Sequence, residues 1–194
     1  MAKLTRDDLF SLEEYAEKRT AFRAKVMEHK KTRQVHLGEH ATLYFENQLT
    51  MQYQIQEMLR IEKIFEKDGI QEELDTYNPL IPDGSNLKAT FMVEYEDVEE
   101  RQEALAKLIG IEDKVWVQVK GFDKAYAIAD EDLERDTEEK TSSVHFMRFE
   151  LTDDMVRAAK SDEDISIGVE HENYSFIADP VAKPIRDSLA ADFD

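Results

Sequence analysis

Glu62 is the residue of this sequence whose type and position most suggest chemistry, because it is an acid within an apolar helix face. At about 100° per residue, it falls in the middle of a stripe formed by Met51, Ile55, Met58 and Leu59. A buried charge without a partner is costly, so we expect Glu62 to be paired or protonated. It is then either a structural salt-bridge partner or a functional acid, base or ligand.

His145 is the second titratable residue that the pattern places on an apolar face. Strand alternation puts it on one side of a predicted strand together with Met147, Phe149 and Leu151. We therefore expect its side chain to point inward. Such a histidine is either satisfied by a carbonyl or carboxylate in the core, or forms an acid–base pair with Glu62.

Four polar residues could hold an anionic small molecule at a Glu62–His145 pair: Arg60, Lys140, Ser142 and Arg148. Arg60 precedes Glu62 by two positions. Lys140 and Ser142 belong to the donor-rich segment 138–143 that leads into the His145 strand. The alternative interpretation of this segment is a solvated loop. Arg148 lies on the opposite face of that strand.

Several other kinds of site have no counterpart in the sequence. There is no cysteine, which excludes disulfides and thiolate chemistry. The five histidines occur in no Glu-x-x-His, His-x-His or His-Glu-x-x-His arrangement, so we predict no metal ligands. No glycine-rich phosphate-binding loop occurs either, and the cofactor, if any, stays open.

The first predicted helix carries an unusual run of basic residues next to a single acid, Glu28: Lys18, Arg19, Arg23, Lys25, Lys30, Lys31 and Arg33. One interpretation is a solvated face, partly paired with the protein's own acids. The alternative is a basic patch of Arg19, Arg23 and Lys30 that docks an acidic protein partner, or the acidic segment 130–139 of a second copy.

The composition narrows the class of protein. The chain has 194 residues, with 25 basic and 44 acidic side chains and a net charge of −19. This field repels phosphate backbones and anionic lipid, so we expect no nucleic acid and no membrane as partner. No apolar run approaches the roughly 18 residues of a membrane span, and residues 1–8 do not resemble a signal peptide. A soluble cytoplasmic protein is expected.

The first half of the chain is predicted to be mainly helical. A capping box, Ser11 to Glu14, opens a helix over 11–31. A hairpin follows over 34–37 and 41–45, around a three-residue turn. A second long helix is expected over 47–67, ended by Gly69, and a short helix over 70–77 is ended by Pro79.

The second half is predicted to alternate between strands and shorter helices. Strands are expected at 87–95 and 143–151, hairpins at 115–120/125–129 and 165–169/174–178, and helices at 98–108, 152–160 and after Lys183. The acidic segment 130–139 is expected to hold one short helix. The chain is predicted to be a single α+β domain with a mostly antiparallel sheet, comprising a helical part (about 1–77) and a sheet-rich part (about 87–194).

Three runs of sequence resemble a bacterial family of uncharacterised proteins, classed as a domain of unknown function: residues 54–62 (QIQEMLRIE), 77–84 (YNPLIPDG) and 138–146 (EEKTSSVHF). Genes of that family are often found beside rubrerythrin-like and iron–sulfur oxidoreductase genes. The resemblance implies a bacterial cytosolic protein linked to redox or peroxide metabolism, with such an oxidoreductase as partner. It supplies no activity, ligand or catalytic residue.

Two functions follow from these observations. The first is an accessory protein that binds a redox partner or a small acidic ligand without doing chemistry. The second is a small enzyme that uses Glu62 and His145 on an anionic substrate. Convergence of these two side chains on a pocket that solvent reaches would favour the enzyme.

Overall fold

Three helices form the N-terminal part of the protein. The structure is a computed structural model that describes residues 3–194, and the first two residues of the segment tested for a signal peptide lie outside the described residues. The helices are α1 (Leu12–Lys30), α2 (Gln48–Glu62) and α3 (Lys67–Tyr77). Ser11 caps α1 as predicted, since its hydroxyl accepts the amide of Glu14 while the Glu14 carboxylate accepts the amide of Ser11.

The second helix is shorter than predicted. We expected two long N-terminal helices, the second continuing to about residue 67, but the three helices have 19, 15 and 11 residues. Helix α2 ends at Glu62 because Lys63 adopts a left-handed backbone with φ 56° and donates its amide to the carbonyl of Leu59. Gly69, the predicted helix end, lies within α3 instead.

Nine strands form two antiparallel sheets within residues 3–194. The first sheet contains β1 (Gln34–His36), β2 (Ala41–Glu46), β3 (Asn86–Val93), β6 (Ile128–Ala129) and β7 (Val144–Glu150). The second contains β4 (Val115–Val119), β5 (Ala125–Tyr126), β8 (Ile165–His171) and β9 (Tyr174–Ala178). The strand orders are β1-β2-β3-β7-β6 and β5-β4-β8-β9, which agrees with the predicted α+β class.

The segment after β4 departs from the predicted hairpin. Strand β5 pairs with β4, but β6 pairs with β7 in the other sheet. The chain therefore passes from one sheet to the other at Ala127, whose amide still donates to the carbonyl of Val115. The short helix expected in segment 130–139 does not form. Its acids Asp130 and Asp132 bind Arg135 instead.

Three shorter helices complete the fold as predicted: α4 (Val98–Lys107), α5 (Asp153–Lys160) and α6 (Lys183–Ala190). Asp97 and Thr152 cap the first two, each accepting backbone amides with its side chain. No helix in the described part of the chain is long and apolar enough to cross a membrane.

The main core lies between the two sheets. Phe91 and Phe149 of the first sheet and Val117 and Ile167 of the second belong to one cluster of buried side chains. A second cluster joins the helices to the N-terminal segment through Leu4, Met51, Ile55, Leu59, Leu74 and Ile81. The inner face of the first sheet therefore faces the second sheet, and this face carries His145.

Candidate functional site

His145 lies on the face of β7 that points into the main core. The register of β7 and β3 places it opposite Phe91. Alternate residues of β7 are buried, and His145 is 0% exposed. The predicted inward orientation is therefore confirmed. Both ring nitrogens must find their partners within the protein, because buried polar atoms are normally hydrogen-bonded.

Asp130 holds the Nδ1 side of the His145 ring. The distance from Nδ1 to Asp130 Oδ2 is 2.6 Å. The second oxygen of Asp130 accepts the amide of Phe146 at 3.0 Å and Arg135 Nη1 at 2.9 Å. Since a carboxylate with these partners is an acceptor, Nδ1 donates a hydrogen to Asp130.

The opposite side of the ring faces acceptors. His145 Nε2 lies 3.0 Å from Thr141 Oγ1 and 3.1 Å from the carbonyl oxygen of Ser142. The Thr141 hydroxyl donates its one hydrogen to Asp136 Oδ1, so Nε2 receives none from it. Asp136 Oδ2 accepts the amide of Gly110 at 2.9 Å. Gly110 has φ 80°, a conformation that glycine adopts without strain.

Glu112 completes the cluster from the short 3₁₀ helix Ile111–Lys114. Its Oε2 atom is buried and has no hydrogen-bond partner among the described residues. Burial raises the pKa of Glu112 to about 7, with a further upward contribution from the charge of Asp136 and a partial offset from His145. Glu112 therefore keeps its proton to a higher pH than an exposed glutamate does.

Glu112, Asp136 and His145 together offer three metal-ligand atoms, all within 4.8 Å of one another. We call these three residues, with Asp130 behind the ring, the His145 centre. Protein nitrogen and oxygen ligands bind zinc at about 2.0–2.2 Å, so modest side-chain movements would bring the three atoms around one ion. Asp130 occupies the place of the outer carboxylate that commonly orients a metal-bound histidine.

Glu62 does not belong to this site. It is exposed at the last position of α2, whereas the carboxylate that binds His145 is that of Asp130. The predicted burial of Glu62 and its pairing with His145 are therefore wrong. The stripe of Met51, Ile55 and Leu59 is buried as its spacing indicates, but α2 ends before the stripe can enclose Glu62.

The four predicted ligand-binding residues do not converge. Arg60 is exposed and pairs with Glu57, and the Lys140 side chain is exposed. Ser142 contacts His145 through its backbone carbonyl. Arg148 lies on the opposite face of β7, where it binds Glu131 and Glu150. Only Ser142 is thus brought to the His145 ring.

The basic patch of the first helix is partly engaged within the protein. Arg19 forms two hydrogen bonds with Glu57 of α2, at 2.8 and 2.9 Å. The guanidinium holds the pKa of Glu57 well below its usual range. Arg23 is exposed and forms no ion pair with a described residue, and Lys30 lies 6.0 Å from the centre of the Tyr53 ring. Arg23 and Lys30 remain proposed docking residues.

Sequence reasoning missed Glu112, Asp130 and Asp136. No motif search finds them, since two separate segments, the 3₁₀ helix and the segment 130–139, bring them to His145. The available signal was indirect. Asp130 directly follows a predicted strand, and Asp136 lies in the donor- and acid-rich region before the next one, where side chains at strand ends can meet.

Comparison with known proteins places the chain in a family but assigns no activity. The family model described as "Protein of unknown function (DUF3501)" matches residues 3–193. A crystal structure of a novel protein of unknown function from Burkholderia pseudomallei K96243 is 54% identical, covers 100% of both chains and superposes with a TM-score of 0.94. No match was found among curated proteins. The chain therefore belongs to the DUF3501 family of proteins of unknown function.

Proposed function

We propose that this protein binds a first-row divalent metal ion through Glu112, Asp136 and His145. The observation that carries the proposal is the convergence of three ligand atoms, one from each residue, all within 4.8 Å of one another. His145 Nε2 faces Ser142 O and the hydroxyl oxygen of Thr141, and Glu112 Oε2 has no partner among the described residues. Buried acceptors that face other acceptors are unfavourable unless a proton or a cation lies between them.

The ligand types define the kind of ion. One imidazole and two carboxylates suit zinc, iron(II) or manganese(II). Three protein ligands leave coordination positions for water or substrate, as in catalytic zinc sites. The link to bacterial redox or peroxide metabolism that the family resemblance implies favours iron or manganese. A rubrerythrin-like or iron–sulfur oxidoreductase remains the proposed partner of such a metal-binding protein.

Metal stoichiometry tests the proposal. Chelator-treated protein would be titrated with Zn²⁺, Mn²⁺ and, without oxygen, Fe²⁺, using calorimetry and elemental analysis after gel filtration. We expect one tightly bound ion per chain, lost in Glu112→Gln and in Asp136→Asn. Glu134→Gln removes one negative charge from an exposed side chain of the same loop region and should keep the ion. A wild type without a stoichiometric ion, or equal binding in all variants, would overturn the proposal.

Asp130→Asn separates the role of Asp130 from that of the ligands. An outer carboxylate orients a metal-bound histidine, and its loss typically lowers affinity about 10–100-fold. We therefore expect the ion to bind more weakly rather than to be lost. An unchanged affinity would contradict the position of Asp130 behind the metal-bound ring.

A metal-free acid–base site is the second candidate. It is favoured by the pKa of Glu112 near 7, the range in which a general acid or base is most effective. The hydrogen-bonded series Asp130–His145 and Thr141–Asp136 could carry protons beside it. This candidate gains support if no ion binds and a pH-dependent activity depends on Glu112.

A further inference from the structure

A separate cavity lies on the opposite face of the first sheet from His145. It has a volume of about 520 Å³ and lies between the end of α3 and the outward side chains of β3 and β7. Tyr77, Leu80 and Phe146 supply aromatic and apolar walls, while Lys88 and Arg148 add positive charge. Its size and mixed lining are typical of small-molecule sites.

Lys88 is the unpaired cation of this cavity. It lies on β3 directly across from Arg148 of β7 and is half-buried. Its ammonium group donates to the carbonyl of Pro79 at 2.5 Å but forms no ion pair with a described residue. Burial lowers the pKa of Lys88 and Arg148 acts in the same direction, while the charges of Asp83, Glu131 and Glu150 partly offset this. A half-buried lysine that forms no ion pair with a described residue is unusual in a chain of net charge −19.

The other cations of the cavity already have acidic partners. Arg148 binds Glu131 at 2.8 Å and Glu150 at 2.6 Å. Arg135 binds Asp130 and Asp132, and its guanidinium lies 4.7 Å from the centre of the Phe146 ring. An incoming acid would therefore meet Lys88 as the cation without an ion pair, with the half-buried Phe146 ring as an apolar part of the cavity wall.

We propose that this cavity binds a small organic monocarboxylate, with its acid group on Lys88 and its flat apolar body against Tyr77, Leu80 and Phe146. Asp75, Glu131 and Asp132 line the same cavity, and their repulsion of an anion grows with its charge, which favours a single negative charge over a phosphorylated ligand. An apolar body would gain by leaving water. This inference is independent of the metal proposal, because no metal ligand lines the cavity.

Nuclear magnetic resonance titration with benzoate as probe tests this inference. Amide shifts of ¹⁵N-labelled protein would be followed at fixed pH and ionic strength, with neutral benzamide as the matched ligand control. We expect benzoate to shift amides at Lys88 and Phe146, with an affinity in roughly the millimolar range for so small a ligand. Benzamide should bind more weakly, since it lacks the charge that Lys88 recognises.

Variants establish which cation is responsible. Lys88→Met should weaken benzoate binding about tenfold or more, because a charge-assisted hydrogen bond is lost, whereas Lys88→Arg should retain binding. Lys25→Met alters an exposed lysine of α1 and should change nothing. The inference is overturned if benzoate shifts no cavity amide, if benzamide binds equally well, or if folded Lys88→Met binds benzoate with wild-type affinity. The wild-type shift map stands as a test even if that variant does not fold.

Discussion

Two buried ionic sites of this protein differ in how completely their polar atoms are paired. Arg33, which is 2% exposed, binds both carboxylate oxygens of Asp192. Its remaining donor capacity goes to the backbone carbonyls of Phe45, Glu46 and Ser188. One positive charge meets one negative charge, and the donors are satisfied. This site attaches the C-terminal segment to β2.

The His145 centre has the opposite character. Three acids, Glu112, Asp130 and Asp136, surround one imidazole, and Arg135 offsets only the charge of Asp130. Glu112 Oε2 has no hydrogen-bond partner among the described residues. His145 Nε2 lies beside two oxygen atoms, Thr141 Oγ1 and Ser142 O. A site whose polar atoms are all paired stabilises the fold, whereas a site with unpaired polar atoms is able to bind an ion. Perturbed titration combined with an unsatisfied polar atom is therefore the reason why the His145 centre, and not the Arg33–Asp192 site, is proposed to bind an ion.

The largest expected effect is at the saturated site. Arg33→Met removes the positive charge and leaves Asp192 buried without a counterion, which typically costs about 3–5 kcal/mol. We expect a loss of this size in the free energy of unfolding, measured by urea titration. The double variant with Asp192→Leu should recover part of the loss, because no buried charge then remains. A loss within about 1 kcal/mol, typical of exposed pairs, would show that the two buried sites do not differ in this way.

The next effect concerns Glu112 and has the opposite sign. Its pKa is raised from 4.5 to about 7 in the folded protein, so the folded state holds an extra proton between these values. The stability of the metal-free wild type should therefore fall as pH rises through this window. Glu112→Gln cannot ionise and should lack the fall. At pH 8 it should exceed the wild type by about 1–2 kcal/mol, after allowance for screening by the solvent that reaches Glu112.

Chemical denaturation of chelator-treated protein between pH 4.5 and 8 measures this effect. Glu134→Gln serves as the control, because its exposed side chain should leave the pH dependence of the wild type unchanged. Parallel stability curves for wild type and Glu112→Gln would contradict the strained state of Glu112. An increase in the stability of the wild type at pH 8 on addition of Mn²⁺ or Zn²⁺, absent from Glu112→Gln, would link the raised pKa of Glu112 to metal binding.

The prediction of the fold succeeded where local chemistry determines structure. The Ser11 cap, the strands of alternating pattern and the positions of most helices follow from side-chain types within a few residues. The end of α2 did not, since a lysine at residue 63 gives no warning of a left-handed backbone. The predicted 125–129 strand is divided between two sheets by tertiary contacts, because its local sequence pattern is compatible with either pairing.

The candidate site was only half predictable. Period-two alternation placed His145 in the core correctly, because that inference needs a single strand. Its partner could not be found in this way, because the Asp130–His145 contact depends on β6 pairing with β7. Arg33 is a second example of a contact that local sequence does not predict. It belongs to a run of surface-like basic residues, yet its partner lies 159 residues away and buries it.

The smallest expected effects lie in the basic patch, where one side chain is engaged and another is free. Arg19→Glu should lower the unfolding midpoint, because it sets a second acid against Glu57 between α1 and α2. Arg23→Glu should leave the midpoint unchanged, since Arg23 is exposed without an ion pair among the described residues. The unfolding midpoint therefore shows which basic residues stabilise the fold. The double variant of Arg23→Glu and Lys30→Glu then tests association without disturbing the fold. If the patch docks an acidic partner or a second copy, this double variant should lose association at low salt, measured by sedimentation, while remaining folded. Association that persists in the folded double variant would leave Arg23 and Lys30 on a solvated face, while Arg19 and Arg33 keep structural roles within the protein.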